Sequence, residues 1–208
     1  ASALPIILIP GASSDEAAWE YERSALSKHA PVTVVNLTAF DTIGAMSDHI
    51  LETAPPEFML AGTSMGGYVA FDVLKKAKGR VKKAALCNTT ARADTEERRA
   101  QRESEVALGE AAFAKARQDD SAYFPFLSEA SKKNKALIAK LREISLRVGY
   151  GCFKRHQHAC ATREDSLALL PTLDMPVLVI GGAEDSLIPP ALQEEIHAGI
   201  KGSRIEII

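Results

Sequence analysis

Six short apolar runs alternate with longer segments of helical spacing, and this alternation limits the folds open to the chain. Several runs are apolar at nearly every position, as in strands that are buried on both faces of a parallel sheet. The pattern predicts an α/β fold, with a mostly parallel twisted sheet, right-handed crossovers and helices on both faces. The predicted strands are LPIILIPG (4–11), VTVVNL (32–37), EFMLAGTS (57–64), VKKAALCN (81–88), PVLVIGG (176–182) and SRIEII (203–208), and the predicted helices cover 15–29, 42–54, 66–78 and 190–199.

One long segment interrupts the alternation. Residues 92–170 contain no strand pattern and are instead helical in character, as in TEERRAQRESEVALGEAAFAKA and NKALIAKLREISLRVG. Connections between neighbouring strands usually have about two to six residues, so a segment of this length is a substructure of its own. The sequence therefore predicts a helical cap at 92–170, inserted into a core formed by residues 1–91 and 171–208.

Charge and composition narrow the class of ligand. The chain has 25 Lys and Arg against 27 Asp and Glu, and its formal net charge is -2. This balance does not favour nucleic acid or a membrane as a partner, and no apolar run approaches the roughly 18 residues of a membrane span. We therefore expect a small-molecule substrate and a monomer or homodimer. Three cysteines do not form a disulfide framework, which favours a reducing, cytoplasmic compartment.

The stretch AGTSMGGYVA (61–70) carries the strongest chemical signal. Ser64 lies two positions from Gly62 on one side and two from Gly66 on the other, at the predicted junction of a buried strand and a helix. A turn this sharp needs neighbours without side chains, and it presents the hydroxyl at the positive end of the following helix. The alternative is a tight turn with a structural role only. The context of strand and helix favours a nucleophile.

These residues resemble the α/β-hydrolase superfamily over nearly the whole chain. GTSMGG is similar to the nucleophile elbow of that family, which implies that Ser64 is the nucleophile and that the backbone N–H of Met65 is one oxyanion-hole donor. ILIPGASSDEAAW resembles the oxyanion loop of the family, with Pro10-Gly11 where His-Gly is usual, and implies the backbone N–H of Ala12 as the second donor. Two such donors would stabilise the oxyanion of an acyl-transfer reaction.

The resemblance also assigns the remaining members of a catalytic triad. PVLVIGGAEDSLIPP resembles the segment that carries the triad acid, and it implies Asp185 in that role. Asp185 could instead be a loop or helix-capping residue, and Asp94 is a second candidate for the acid. The family places its histidine after the last strand, which here ends at Ile208. We therefore expect a longer natural chain whose C-terminal segment carries the base.

A serine at the elbow predicts attack on an acyl carbon and an acyl-enzyme. We expect hydrolysis of carboxylic esters with small or medium acyl groups in an apolar pocket, without a cofactor. Relatives with this architecture also hydrolyse lactones or carbon–carbon bonds or form peracids, and a non-catalytic ligand-binding protein of the same fold is a further alternative. The aromatic residues expected to contact substrate, each of which could instead be packing residues, are Tyr123, Phe124, Phe126 and Tyr150.

One cluster in the predicted cap resembles a metal site. Cys152, His156 and Cys160 recur at intervals of four residues, so a helix would align them on one face. Zinc binds these side chains, but about 12 Å of helix separates the first residue from the last, too far for both sulfurs to reach one ion. We therefore expect ordinary packing in the cap rather than a metal, and either His156 or His158 could instead line a pocket.

Overall fold

The computed structural model describes residues 3–208, and its centre is a six-stranded sheet. The strands occur in the order β2-β1-β3-β4-β5-β6, and every neighbouring pair is parallel. This confirms the predicted α/β fold. The strands are β1 (Ile6–Ile9), β2 (Val32–Val34), β3 (Phe58–Thr63), β4 (Val81–Cys87), β5 (Val177–Gly181) and β6 (Arg204–Ile207).

Helices follow the strands and cover the sheet. Thr42 caps α2 by accepting a hydrogen bond from the N–H of Ala45, and the buried face of α2 packs on α3. The core lies between these helices and the inner strands, where Ile9, Phe58 and Phe71 are almost completely buried. The helices outside the long insertion are α1 (Glu20–Leu26), α2 (Ile43–Thr53), α3 (Met65–Ala77) and the helix that precedes β6 (Pro190–Gly199).

Residues 92–170, here called the helical insertion, connect β4 to β5. The insertion contains α4 (Glu96–Ala107), α5 (Glu110–Gln118) and α6 (Lys135–Thr162), and the helix before β6 is therefore α7. Gly149 interrupts α6 with a φ of 77°, a left-handed conformation that glycine adopts without steric cost. The kink lets the two halves of α6 follow different surfaces. Within residues 3–208, no helix combines the length and the apolarity needed to cross a bilayer.

Candidate active site

Ser64 occupies a strained turn between β3 and α3. Its φ is 52° and its ψ is -116°, a conformation that costs a non-glycine residue free energy. The Ser64 N–H donates to the carbonyl of Cys87, and the Ser64 carbonyl accepts hydrogen bonds from the N–H of Gly67 and the hydroxyl of Thr89. These bonds fix the backbone, so the unusual turn is held by its surroundings rather than by a local preference of the serine.

The glycines around Ser64 are required by close backbone approach. A Cβ on Gly62 would lie 2.2 Å from the carbonyl oxygen of Gly66, and a Cβ on Gly66 would lie 2.3 Å from the carbonyl oxygen of Ile9. A Cβ on Gly67 would lie 2.3 Å from Thr89 Oγ1. The helix α3 can therefore begin directly behind the ends of β1 and β3 only because these positions have no side chains.

The loop after β1 runs beside Ser64. A Cβ built on Gly11 would be 3.6 Å from Ser64 Cβ, and Ala12 lies next to Gly11 on the wall of the same cavity. Within residues 3–208, the backbone N–H groups of Ala12 and Met65 have no hydrogen-bond acceptor. Both predicted donors are thus adjacent to Ser64 in the chain or in space, and both are free to bind an oxygen of a ligand.

His156 of α6 holds this loop from the side of the helical insertion. The N–H of Ser13 donates to His156 Nδ1 at 2.9 Å, and His156 Nε2 lies 2.9 Å from the carbonyl oxygen of Leu37. Because Nδ1 accepts, the ring is neutral with its proton on Nε2. Burial lowers the pKa of His156 below its ordinary value of 6.5. Ser13 has a φ of 53°, so this bond stabilises a left-handed residue beside Ala12.

Asp185 lies in the loop after β5, where the sequence predicts the triad acid. Its Oδ1 accepts hydrogen bonds from the N–H groups of Leu187 and Ile188, both at 2.9 Å. Its Oδ2 accepts one from Asn88 Nδ2 at 3.2 Å. The carboxylate is buried and lines the same cavity as Ser64. These bonds fix its orientation, and no cation forms an ion pair with it among residues 3–208.

Asp94, the second candidate for the acid, belongs to a different network. Its carboxylate binds Arg102 Nε and Arg163 Nη1, each at 2.6 Å, and all three side chains are buried. Burial alone would raise the pKa of Asp94, but the two guanidinium groups bring it below its ordinary value of 3.8. With its oxygens occupied in this way, Asp94 connects two parts of the helical insertion, α4 and the residue that follows α6. It does not present a free carboxylate to Ser64.

A cavity of about 630 Å³ lies between the sheet edge and the helical insertion, and it contains Ser64, Ala12 and Asp185. Of the aromatic residues predicted to contact substrate, Tyr123 and Phe126 line it. Phe124 instead packs with Leu127 and Ile138, and the hydroxyl of Tyr150 donates to the carbonyl of Val106. The structure thus places two of the four predicted aromatic residues at the cavity and two in the packing of the insertion.

Among residues 3–208, no histidine lies in the cavity with Ser64, and the histidines and cysteines form no metal site. None of the five histidines lines the cavity that contains Ser64, although His156 contacts its loop. Both ring nitrogens of His156 are occupied by backbone partners, and burial raises the pKa of the neighbouring Cys152 to about 11. In this part of the chain, no group of three His, Cys, Asp or Glu side chains is arranged to hold a metal ion.

The sequence analysis missed the arginines of the cavity. Besides Arg102 and Arg163, the side chains of Arg98 and Arg117 contribute to its wall. The expected apolar pocket is therefore a mixed one, with aliphatic and aromatic side chains and four cationic groups. A signal for Arg117 was present in the sequence, because it follows the buried Phe113 by four residues and so lies on the same face of α5.

The chain is similar to known hydrolases over most of its length. The sequence profile described as serine aminopeptidase, S33 matches residues 6–208. A pimeloyl-[acyl-carrier protein] methyl ester esterase from Neisseria meningitidis serogroup B is 26% identical over 196 residues, covering 92% of this chain and 74% of the relative.

Solved structures of similar proteins have the same fold. A thermophilic esterase from Thermogutta terrifontis, solved with malate bound, is 27% identical with a TM-score of 0.82, covering all of this chain and 81% of the relative. The enol-lactonase from Burkholderia xenovorans LB400 has a TM-score of 0.86 at 22% identity, covering all of this chain and 84% of the lactonase.

Proposed function

Because the chain belongs to the serine aminopeptidase S33 family of α/β-hydrolases, we propose that it hydrolyses carboxylic esters of small or medium acyl groups through an acyl-enzyme on Ser64. The observation that carries this proposal is the strained turn of Ser64, held by close backbone contacts and open to a cavity. Such a turn is maintained at a cost in free energy, which a purely structural serine would not require. Two relatives above 25% identity are named as esterases, which supports the same reaction class.

In the proposed reaction, Ser64 Oγ attacks the carbonyl carbon of the ester. The N–H groups of Ala12 and Met65 donate to the oxyanion of the tetrahedral intermediate, where the start of α3 adds a favourable dipole. The intermediate then releases the alcohol, which takes up a proton, and leaves the acyl group on Ser64. Water hydrolyses the acyl-enzyme to the acid and restores the serine hydroxyl.

The reaction needs a base that accepts the Ser64 proton and returns it to the leaving alcohol. In this proposal Asp185 orients a histidine and stabilises its protonated form. The prediction that this histidine follows β6 stays a prediction. The carbonyl oxygen of Ile208 accepts a hydrogen bond from Ala183 N–H at 2.8 Å, so Ile208 lies close to the loop that carries Asp185. A segment that continued from Ile208 would begin beside the loop that carries Asp185.

Ester hydrolysis by the purified chain tests the proposal. We would measure release of p-nitrophenol from p-nitrophenyl acetate and butyrate, with and without added imidazole, which can supply the proton transfer from solution. Ser64→Ala is expected to lower the rate by about a thousandfold or more, since it removes the nucleophile. Ser24→Ala, at an exposed position on α1, is the matched control and should have the wild-type rate. Equal rates for wild type and Ser64→Ala would contradict the proposal and favour a ligand-binding protein.

A further inference from the structure

Arg117 is a cation in the cavity without an anionic partner. It lies near the end of α5, and its guanidinium packs over the rings of Phe113 and Phe153, with its Cζ 4.9 Å and 5.2 Å from their centroids. Its backbone carbonyl accepts a hydrogen bond from the Tyr123 hydroxyl. Among residues 3–208, its guanidinium donates no hydrogen bond and has no carboxylate within ion-pair distance.

The other cavity arginines have partners. Arg102 and Arg163 share the carboxylate of Asp94, and Arg98 lies 3.9 Å from a carboxylate oxygen of Glu105. The four guanidinium groups therefore differ in their availability: Arg102 and Arg163 share one buried carboxylate, Arg98 has a surface partner, and Arg117 has neither. The five N–H donors of the Arg117 guanidinium are therefore available to a ligand anion that enters the cavity.

Partial burial of the Arg117 guanidinium without an anionic partner costs free energy, because the charged group loses contact with water. Burial lowers the pKa of Arg117, and Tyr123 and Glu105 act in the opposite direction. Contact with the two phenylalanine rings offsets part of this desolvation and holds the planar group in place. An arginine that is fixed in this way loses little entropy when it binds a carboxylate through two parallel hydrogen bonds.

From these contacts we infer that Arg117 binds a carboxylate group of the substrate, so that the natural ester carries a free carboxylate on its acyl part. This inference rests on the proposed function for its reaction, but the binding site stands on its own geometry. Ser64 and Arg117 line one cavity, so a substrate could present its ester to the first residue and its carboxylate to the second.

Two measurements test the inference, one of binding and one of hydrolysis. Isothermal titration calorimetry would measure the dissociation constant of glutarate for wild type and for Arg117→Gln, which is expected to bind it about tenfold to a hundredfold more weakly. Hydrolysis assays would compare monomethyl glutarate with methyl valerate, which has a methyl group in place of the carboxylate. We expect wild type to hydrolyse monomethyl glutarate faster than methyl valerate, and Arg117→Gln to lose that preference.

Lys115→Gln is the matched control, because it removes the same charge from an exposed position of the same helix. It should bind glutarate as wild type does. If Arg117→Gln does not fold, Arg117→Met retains an apolar stem against Phe113 and Phe153 and replaces it in both assays.

The outcomes separate the inference from the proposed function. Equal binding of glutarate by wild type and the Arg117 variant, together with hydrolysis of both esters at similar rates, would overturn the inference and leave the esterase function in place. Binding that depends on Arg117 in a chain that hydrolyses neither ester, even with added imidazole, would support the inference and count against the esterase function.

Discussion

The sheet edge around Ser64 and the helical insertion above it are built by different interactions. At the edge, backbone atoms approach each other so closely that the residue type is dictated at Gly62, Gly66 and Gly67. The helices of the insertion are instead positioned by hydrogen bonds between residues that are far apart in the sequence, such as Arg102 with Gln157 and His156 with Ser13. The comparison teaches that the proposed chemistry is fixed by sterics, whereas the proposed substrate recognition depends on charge and ring contacts.

The largest expected effect concerns the charge network of the insertion. Asp94→Asn should lower the free energy of unfolding by about 3 to 5 kcal/mol, because it leaves Arg102 and Arg163 buried without their anion. The exposed pair of Arg147 and Glu143 provides the control, and Glu143→Gln should cost less than about 1 kcal/mol. Urea unfolding measures both. Similar losses for the two variants would mean that the insertion does not depend on its buried ions.

The pH dependence of the same network has a definite sign. The pKa of Asp94 is lowered in the folded protein, so its contribution to stability is present above the ordinary value of 3.8 and is lost as the pH falls through the lowered value. Asp94→Asn should therefore remove part of the acid-induced loss of stability. If the free energy of unfolding fell equally steeply in both proteins as the pH decreased from about 3.8 to the lowered pKa of Asp94, this assignment would be contradicted.

The next effect concerns the sheet edge. Gly66→Ala should destabilise the protein by about 3 kcal/mol, since its Cβ would lie 2.3 Å from the carbonyl oxygen of Ile9 and backbone atoms would have to move. Gly79→Ala is the control, because a Cβ there has no atom within 4 Å. Thermal unfolding of the two variants measures the difference. A Gly66 variant as stable as the Gly79 variant would show that the edge tolerates side chains.

The smallest effect tests the contact that joins the two regions. His156→Gln replaces a titrating ring with a neutral side chain. Because the pKa of His156 is lowered, its stabilising contribution is fully present above 6.5 and is lost as the pH falls through the lowered value. Wild type should therefore lose about 1 kcal/mol more than His156→Gln between about pH 7.5 and about pH 5.5.

Unfolding at the two pH values measures this difference. The charged and ionisable groups nearest the ring are Arg155 and Cys152, which are unchanged in the variant. The exposed His158 serves as the control, since His158→Gln should keep the wild-type difference. If His156→Gln lost stability to the same extent as wild type, the ring would not be the group that titrates.

The sequence predicted the strands and the elbow because both leave local patterns. Buried parallel strands are apolar at nearly every position, and the close approach at Gly66 permits one residue type only. Phe124 and Tyr150 could not be assigned in the same way, since an aromatic side chain in a helix packs equally well inward or against a ligand. The role of His156 was also hidden, because its partner Ser13 is 143 positions away in the chain.

Covalent labelling of Ser64 tests the account most directly. The folded chain would be incubated with a fluorophosphonate, with and without imidazole, and its intact mass and peptide map recorded. The account predicts a single adduct on Ser64, faster labelling with imidazole, and no adduct on Ser64→Ala. An adduct on a different residue, or an unlabelled Ser64 in folded protein even with imidazole present, would contradict the assignment of Ser64 as the nucleophile.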